Sequence, residues 1–210
     1  MARFGFVLLL SLVNVGCSVF GSRSEETPNY KVEKVDGDKE IRQYGSYVVA
    51  KTETTGQYES SQSEGFKILA GYIFGGNKAK TKISMTAPVE QAKSEKIAMT
   101  APVEQTKSEA GWTMTFMMPS KYKIDELPTP NDPRIKFEEI QPKTVAVIRF
   151  SGSRSEKANA EKAAELLQWI SSKGEYEVDG SMRSAGYDPP WTLPPFRRNE
   201  MLVDVKKKNP

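Results

Sequence analysis

The chain has 210 residues, 38% of them hydrophobic, enough for one domain with extensions. Lys and Arg number 30 against 27 Asp and Glu, a near balance that argues against a nucleic-acid partner. There is no histidine and one cysteine, Cys17, which excludes Ser-His-Asp and Cys-His catalysis, an internal disulfide and a cysteine-based zinc site.

The chain opens with "MARFGFVLLLSLVNVGC". Arg3 precedes an apolar run, Phe4 to Val15, too short to span a bilayer and of the length of a signal-peptide core. The run ends at Gly16-Cys17, which resembles a bacterial lipoprotein signal. Residues 1–17 are therefore expected to direct export, with Cys17 as the lipid-bearing first residue of the mature protein. An ordinary cleaved signal with an incidental cysteine is the alternative. Ser18 after the cysteine matches outer-membrane sorting in such lipoproteins, so the expected location is the outer membrane, facing the periplasm. Residues 18–29 read as a flexible tether.

From Tyr30 the pattern is strand-like. "YKVEKV" alternates, and "GDKEIRQYGSYVVAKTETTG" holds two β-rich runs broken at Gly45-Ser46. A helix is predicted next, capped by Ser61 or Ser63 and ended by Gly75-Gly76, with Phe66, Leu69 and Ile73 as its core stripe and Tyr72 and Ile68 at the sides. "WTMTFMMP", Trp112 to Pro119, is a period-2 strand, and the proline-rich run from Tyr122 to Arg134 is a connector. "IKFEEIQPKTVAVIRFSG" gives two strands around Gln141-Pro142. A second helix runs through Glu161 to Ser171 on Ala163, Leu166 and Ile170, and "YEVDGSMRSAGYD" and "NEMLVDV" supply two closing strands. The two halves align: "VVAKTETTG" lies over "VAVIRFSG", and Phe66, Leu69 and Ile73 over Ala163, Leu166 and Ile170. The expected fold is α+β, a strand-strand-helix-strand-strand unit used twice (about 30–119 and 134–206) in a single domain over 30–206, with 207–210 a frayed basic tail.

Within the first half, "KISMTAPVEQAKSE" at 82–95 is followed by "KIAMTAPVEQTKSE" at 96–109. Each copy alternates Ile, Met, Ala and Val with polar residues, one strand's worth, with "EQAKSE" and "EQTKSE" as polar turns. Two copies of this length do not make a solenoid. One is expected in the sheet and the other in a loop or edge hairpin. The methionines Met85, Met99, Met114, Met117 and Met118 are expected to fill core space rather than bind metal, and Glu90, Glu104, Glu109, Glu138 and Glu139 to be solvated.

The runs "DGDKEIRQYGSYVVAKT", "GFKILAGYIFGGN", "KIAMTAPV", "FMMPSKY", "LPTPNDPR", "VAVIRFSG" and "GYDPPWTLPPFRRNE" together resemble the SOUL haem-binding family, in its bacterial exported branch. The resemblance covers about Tyr30 to Val205. It implies a distorted antiparallel β-barrel flanked by two helices, similar to effector-binding domains of bacterial regulators. It also implies haem or another porphyrin as ligand, held in an apolar groove beside the first helix with basic side chains near the propionates. On this chain the groove maps to Phe66, Leu69, Ala70, Tyr72 and Ile73, and binding would lack a histidine ligand. Lys67, Arg197 and Arg198 are candidate propionate partners by charge. Arg198 with Glu200, or Arg197 with Asp188, could instead tie down the last strand. "PPW" at 189–191 could form a lip over a groove or a hydrophobic plug. The function expected is tetrapyrrole binding for carriage or buffering, without catalysis or metal ligands. The alternative is a binding module for another apolar small molecule or for an envelope protein.

Overall fold

The computed structural model describes residues 25–79, 94–109, 111–189 and 191–208. In chain order they form β1 (Tyr30–Asp36), β2 (Lys39–Tyr44), β3 (Tyr47–Thr54), α1 (Tyr58–Ile73), β4 (Asn77–Lys78), β5 (Val103–Ser108), β6 (Gly111–Met117), β7 (Thr129–Pro130), β8 (Lys136–Ile140), β9 (Lys143–Phe150), α2 (Glu156–Lys173), β10 (Tyr176–Val178), β11 (Arg183–Gly186) and β12 (Asn199–Lys207). Expectations for residues 1–24 and for nearly all of the first copy of the doubled segment lie outside the described residues.

One antiparallel sheet runs in the order β1-β2-β9-β12-β11-β5-β6-β3-β8, with β10 added on β12 and β4-β7 a separate pair. The expected unit is present twice, as β2-β3-α1-β5-β6 and β8-β9-α2-β11-β12. The halves exchange their first strands: β2 pairs with β9, and β8 with β3. That exchange bends the sheet. Gly45-Ser46 joins β2 to β3, and Gln141-Pro142 joins β8 to β9, yet five strands stand between the partners in each case. Two residues cannot cross a flat sheet of that width, so the sheet curls back on itself. Among the described residues no ladder joins β1 to β8, so the barrel-like curl is not hydrogen-bonded shut.

The helices cover the outer face. α1 packs on β3 and β6, with Leu69, Tyr72, Ile73, Met114 and Phe116 in its core; α2 packs on β9, β10 and β12, with Leu166, Ile170, Ile148 and Met201. Gly65 lets α1 settle on the sheet, since a Cβ there would stand 3.0 Å from that of Met114. The inner face carries a third cluster that includes Tyr44, Val145, Val147, Tyr187 and Leu202.

Several boundaries differ from the sequence reading. α1 starts at Tyr58, ahead of both serines proposed as caps. The buried Tyr58 ring anchors its first turn, and the Ser61 hydroxyl donates back to the Thr55 carbonyl. α2 starts at Glu156, where the Ser155 hydroxyl accepts from the Ala158 N–H. In the second copy of the doubled segment the strand is Val103–Ser108, so "EQTKS", read as a turn, lies in the ladder. Pro102 has no N–H, and pairing begins only after it. Three strands, not two, close the second half. Residues 25–29 are tied down rather than free: the Ala101 N–H donates to the Glu26 carbonyl, and the Gly45 N–H to that of Asn29. The expected basic tail begins too early, because β12 runs through Lys207, which pairs with Glu33.

The Asn77 side chain bonds both the N–H and the carbonyl of Glu95, so the chain on either side of residues 80–93 is pinned together. Deleting residues 80–93 should leave a soluble, folded protein. Loop length alone changes stability by about 0.6 kcal/mol per doubling. Thermal melting followed by circular dichroism should show a midpoint within a few degrees of wild type; aggregation or a large fall would show that the segment is packed.

Candidate functional site

α1 has two unlike faces. Ile68, Leu69, Tyr72 and Ile73 all point into the core, and Tyr72, 1% exposed, donates its hydroxyl to the Pro128 carbonyl. Burial pushes the Tyr72 pKa above its ordinary value. The expectation that Tyr72 and Ile68 flank the core stripe is therefore corrected: both belong to it, and Phe66 sits at its outer edge. Leu69, Tyr72 and Ile73 are packed where a ligand lying on the helix would not reach them.

The outward face carries Phe66, 37% exposed, and Phe74, 61% exposed, at the helix C-cap. At 100° per residue, Phe66, Ala70 and Phe74 fall within about 80° of one another, with Lys67 beside them. Gly71 next to this stripe has open space where a side chain would be. The result is a flat apolar strip: two aromatic rings, a small residue between them, an open position and one lysine. The Phe66 ring rests on Phe116 at 5.5 Å between centroids. Sequence reasoning missed Phe74, though its spacing of four from Ala70 and eight from Phe66 is the signal for a shared face.

Arg197 and Arg198 are engaged elsewhere, at the entrance to β12. The Arg198 guanidinium reaches Glu200 at 2.7 Å and covers the Tyr187 ring at 4.0 Å, and the Arg198 backbone N–H donates to the Asp188 carboxylate. Arg197 Nε donates to the Thr192 carbonyl at 2.7 Å. Of the two ties weighed for this pair, Arg198 with Glu200 is formed. Glu200 is the centre of a wider network on the inner face. Arg42 forks onto it at 2.9 and 3.0 Å and also reaches Glu40 at 2.7 Å, and the Tyr187 hydroxyl donates to it at 2.6 Å. The side chains of Arg42 and Glu200 are both 0% exposed. Burial alone would raise the Glu200 carboxyl, but the hydrogen bonds and charge of Arg42, with Arg198 and the Tyr187 hydroxyl, hold it below its ordinary pKa.

Two clefts complete the surface. One, about 700 Å³, lies between the N-terminal turns of the helices and the β5–β6 hairpin; Glu59, Glu109, Glu156 and Lys107 are among its lining residues. Its excess of carboxylates makes it a poor seat for a dianion. The other, about 480 Å³, is lined by Val48, Met117, Met118, Tyr122 and Ile124 beside the chain's entry at Glu26. Met114, Met117 and Met118 are buried as core filler. Trp191, Leu193 and Phe196 stand exposed on the loop before β12, so Trp191 is not a buried plug. Among the described residues no group of three or more His, Cys, Asp or Glu could hold a metal ion.

The model of the SOUL heme-binding protein family matches residues 25–204. The chain belongs to this family. Among curated SOUL-family relatives, heme-binding protein 2 of Mus musculus is 30% identical over 88% of this chain and 88% of its own length. Heme-binding protein 2 of Homo sapiens is 28% identical over 90% of each. Among solved structures, the EcmrR C-terminal domain superposes with a TM-score of 0.54 at 15% identity, covering 85% of this SOUL chain and 99% of that domain; that likeness is one of fold. The architecture of this family member is α+β, two helices on a curled antiparallel sheet.

Because Glu200 has a folded pKa below its ordinary 4.5, the stability it supplies is complete above that value and is lost as pH falls through the lower folded pKa. Arg42→Met should cost roughly 3–5 kcal/mol, since it strands buried carboxylate charge. Denaturant titration at neutral pH measures this. Glu200→Gln should flatten the loss of stability on acidification; an unchanged acid slope would show that the pair is not the acid-sensitive element.

Proposed function

We propose that this protein binds haem or a related tetrapyrrole on the outward face of α1, as a non-catalytic carrier or buffer. The observation that carries this is the pair of exposed rings, Phe66 and Phe74, with the buried Ala70 between them as a low floor and Lys67 at their side. A bound tetrapyrrole presents a flat apolar macrocycle and two carboxylates. A flat aromatic strip suits the first, and a lysine the second. The names of the family and of its curated relatives support the same ligand class. The chain has no histidine, so the protein contributes no imidazole to iron, and its affinity comes from buried apolar area and from carboxylate contacts. Of the residues weighed from the sequence, Phe66, Lys67 and Ala70 stay with this reading, and Phe74 joins them.

Haemin and metal-free protoporphyrin should bind with similar affinity, within a few-fold, because the macrocycle rather than the metal is recognised. Phe74→Glu places a charge on the strip without touching the core. It should weaken haemin about tenfold or more, as expected for losing a buried aromatic contact. Lys67→Ala should cost at most about fivefold, since an exposed ion pair is weak. Absorption titrations at the Soret band measure all of these. Binding unchanged by Phe74→Glu, with the fold intact, sinks the location; no binding of either porphyrin by wild type returns the protein to the class of modules for other apolar molecules or protein partners.

The same reading places the protein at a membrane through a lipidated Cys17, exported and facing the periplasm from the outer membrane. It rests on the apolar run that ends at Gly16-Cys17. No helix among the described residues is long and apolar enough to cross a membrane, so anchoring would fall to the lipid. One acyl chain binds only marginally and a multiply acylated cysteine stably. Cys17→Ser should release the protein from the membrane fraction or block its maturation. Unchanged fractionation and mass in that variant would refute lipidation.

A further inference from the structure

Arg42, Arg134, Arg149, Arg183 and Arg198 each reach a carboxylate within 3.3 Å. Arg154 does not. Among the described residues its hydrogen bonding consists of one contact, Nη1 to the Val103 carbonyl at 3.1 Å. The side chain is half-buried, and the ionisable groups that act on it are the Tyr58 hydroxyl and a second cation, Arg197. Burial depresses its pKa from the ordinary arginine value, and no carboxylate offsets that cost. A guanidinium has five donors, so four of those on Arg154 are unspent within the fold.

Its place is set by a glycine. Across the sheet, Phe116 pairs with Val103, and Val103 with Gly186. Directly paired residues share a face, so all three lie on the outer, helix-bearing side. A Cβ on Gly186 would stand 2.6 Å from Cζ of Arg154, so the guanidinium occupies the notch left by the missing side chain. Two strand spacings, about 10 Å, separate that notch from Phe116, on which Phe66 rests. An uncompensated cation therefore lies on the same sheet face as the root of the apolar strip, in the seam between the two halves. Nearby, the Pro194 carbonyl accepts from the Gly152 N–H, which brings the loop bearing Leu193 and Phe196 against the segment that leads into Arg154.

We propose that Arg154, held in the Gly186 notch, is the carboxylate anchor of the tetrapyrrole site and takes one propionate of a macrocycle lying across Phe66. This rests on the tetrapyrrole reading above. The arginine fork matches a carboxylate with two parallel hydrogen bonds, the stronger kind of charge-assisted contact. In the free protein the unpaired charge is a cost, and the ligand relieves it.

The test uses the full chain, haemin and haemin dimethyl ester, with wild type, Arg154→Gln and Gly186→Ala. Wild type should bind haemin more tightly than the ester. Arg154→Gln should weaken haemin about tenfold and leave the ester unchanged, with a melting temperature equal to or above that of wild type. Gly186→Ala, which keeps the arginine but fills its notch, should reproduce the selective loss. Haemin affinity unaltered in both variants, or an equal loss for haemin and ester, overturns the anchor while the tetrapyrrole reading stands. A lowered melting temperature with haemin affinity kept makes Arg154 structural and overturns it too. Binding of neither ligand by wild type overturns both readings.

Discussion

A guanidinium and a carboxylate, Arg42 and Glu200, meet on the inner face of the curled sheet with neither exposed to water. Such a pair is tolerated only if its geometry is good and its remaining donors and acceptors are filled. Here Glu40, Tyr44, Tyr187 and Arg198 fill them, drawn from β2, from the end of β11 and from the entrance to β12. A slip of β2 or β12 by one residue would carry Arg42 or Glu200 to the helix face and leave the other charge stranded. The pair therefore fixes the register on which the second half is built. It also consumes Arg198, the side chain that charge alone offered most readily to a ligand.

The inner face is occupied by this network, by the Arg183, Glu104, Asp204 and Lys143 ion pairs and by four tyrosines, Tyr30, Tyr44, Tyr47 and Tyr187. What the fold leaves open is outside. α1 gives its Leu69, Tyr72 and Ile73 face to the sheet, where these side chains join Met114, Phe116, Leu127 and Ile135 in covering the outer face of β3 and β6. The helix is left with Phe66 and Phe74 turned to solvent on either side of the buried Ala70, an arrangement that costs free energy unless something covers it. Two-residue links between distant strands cause the curl. The curl gives the sheet an inside and an outside, and the outside is where aromatic surface remains.

The sequence showed the duplication, the two helices, most strands and the family, because periodicity, turn residues and long ordered motifs are local signals. It did not show that the repeats exchange their first strands, since pairing partners leave no local mark when both strands alternate in the same way. The core stripe of α1 was read from Phe66, Leu69 and Ile73 and came out rotated toward solvent. Tyr72, amphipathic by type, was set aside as a ligand contact, whereas its hydroxyl finds Pro128 and its ring belongs to the core. "EQTKS" was read as a turn from polarity, but a strand at the middle of the sheet needs only alternate residues inward, and Gln105 is buried there. Arg154 was invisible for a different reason: only the folded structure shows which arginines have acids beside them.

The absence of histidine bears on what kind of binder this is. A strong axial bond would make the complex depend on iron and dissociate slowly. An exposed strip closed by area and by carboxylate contacts gives a complex whose affinity is the surplus of burial over the cost of association. On the site proposed, the outward position matters as well, because a macrocycle lying on a helix face keeps one side available to a receiving surface. Reversible holding with an accessible face is what transfer or buffering requires. A buried pocket with a metal ligand would serve catalysis or storage better.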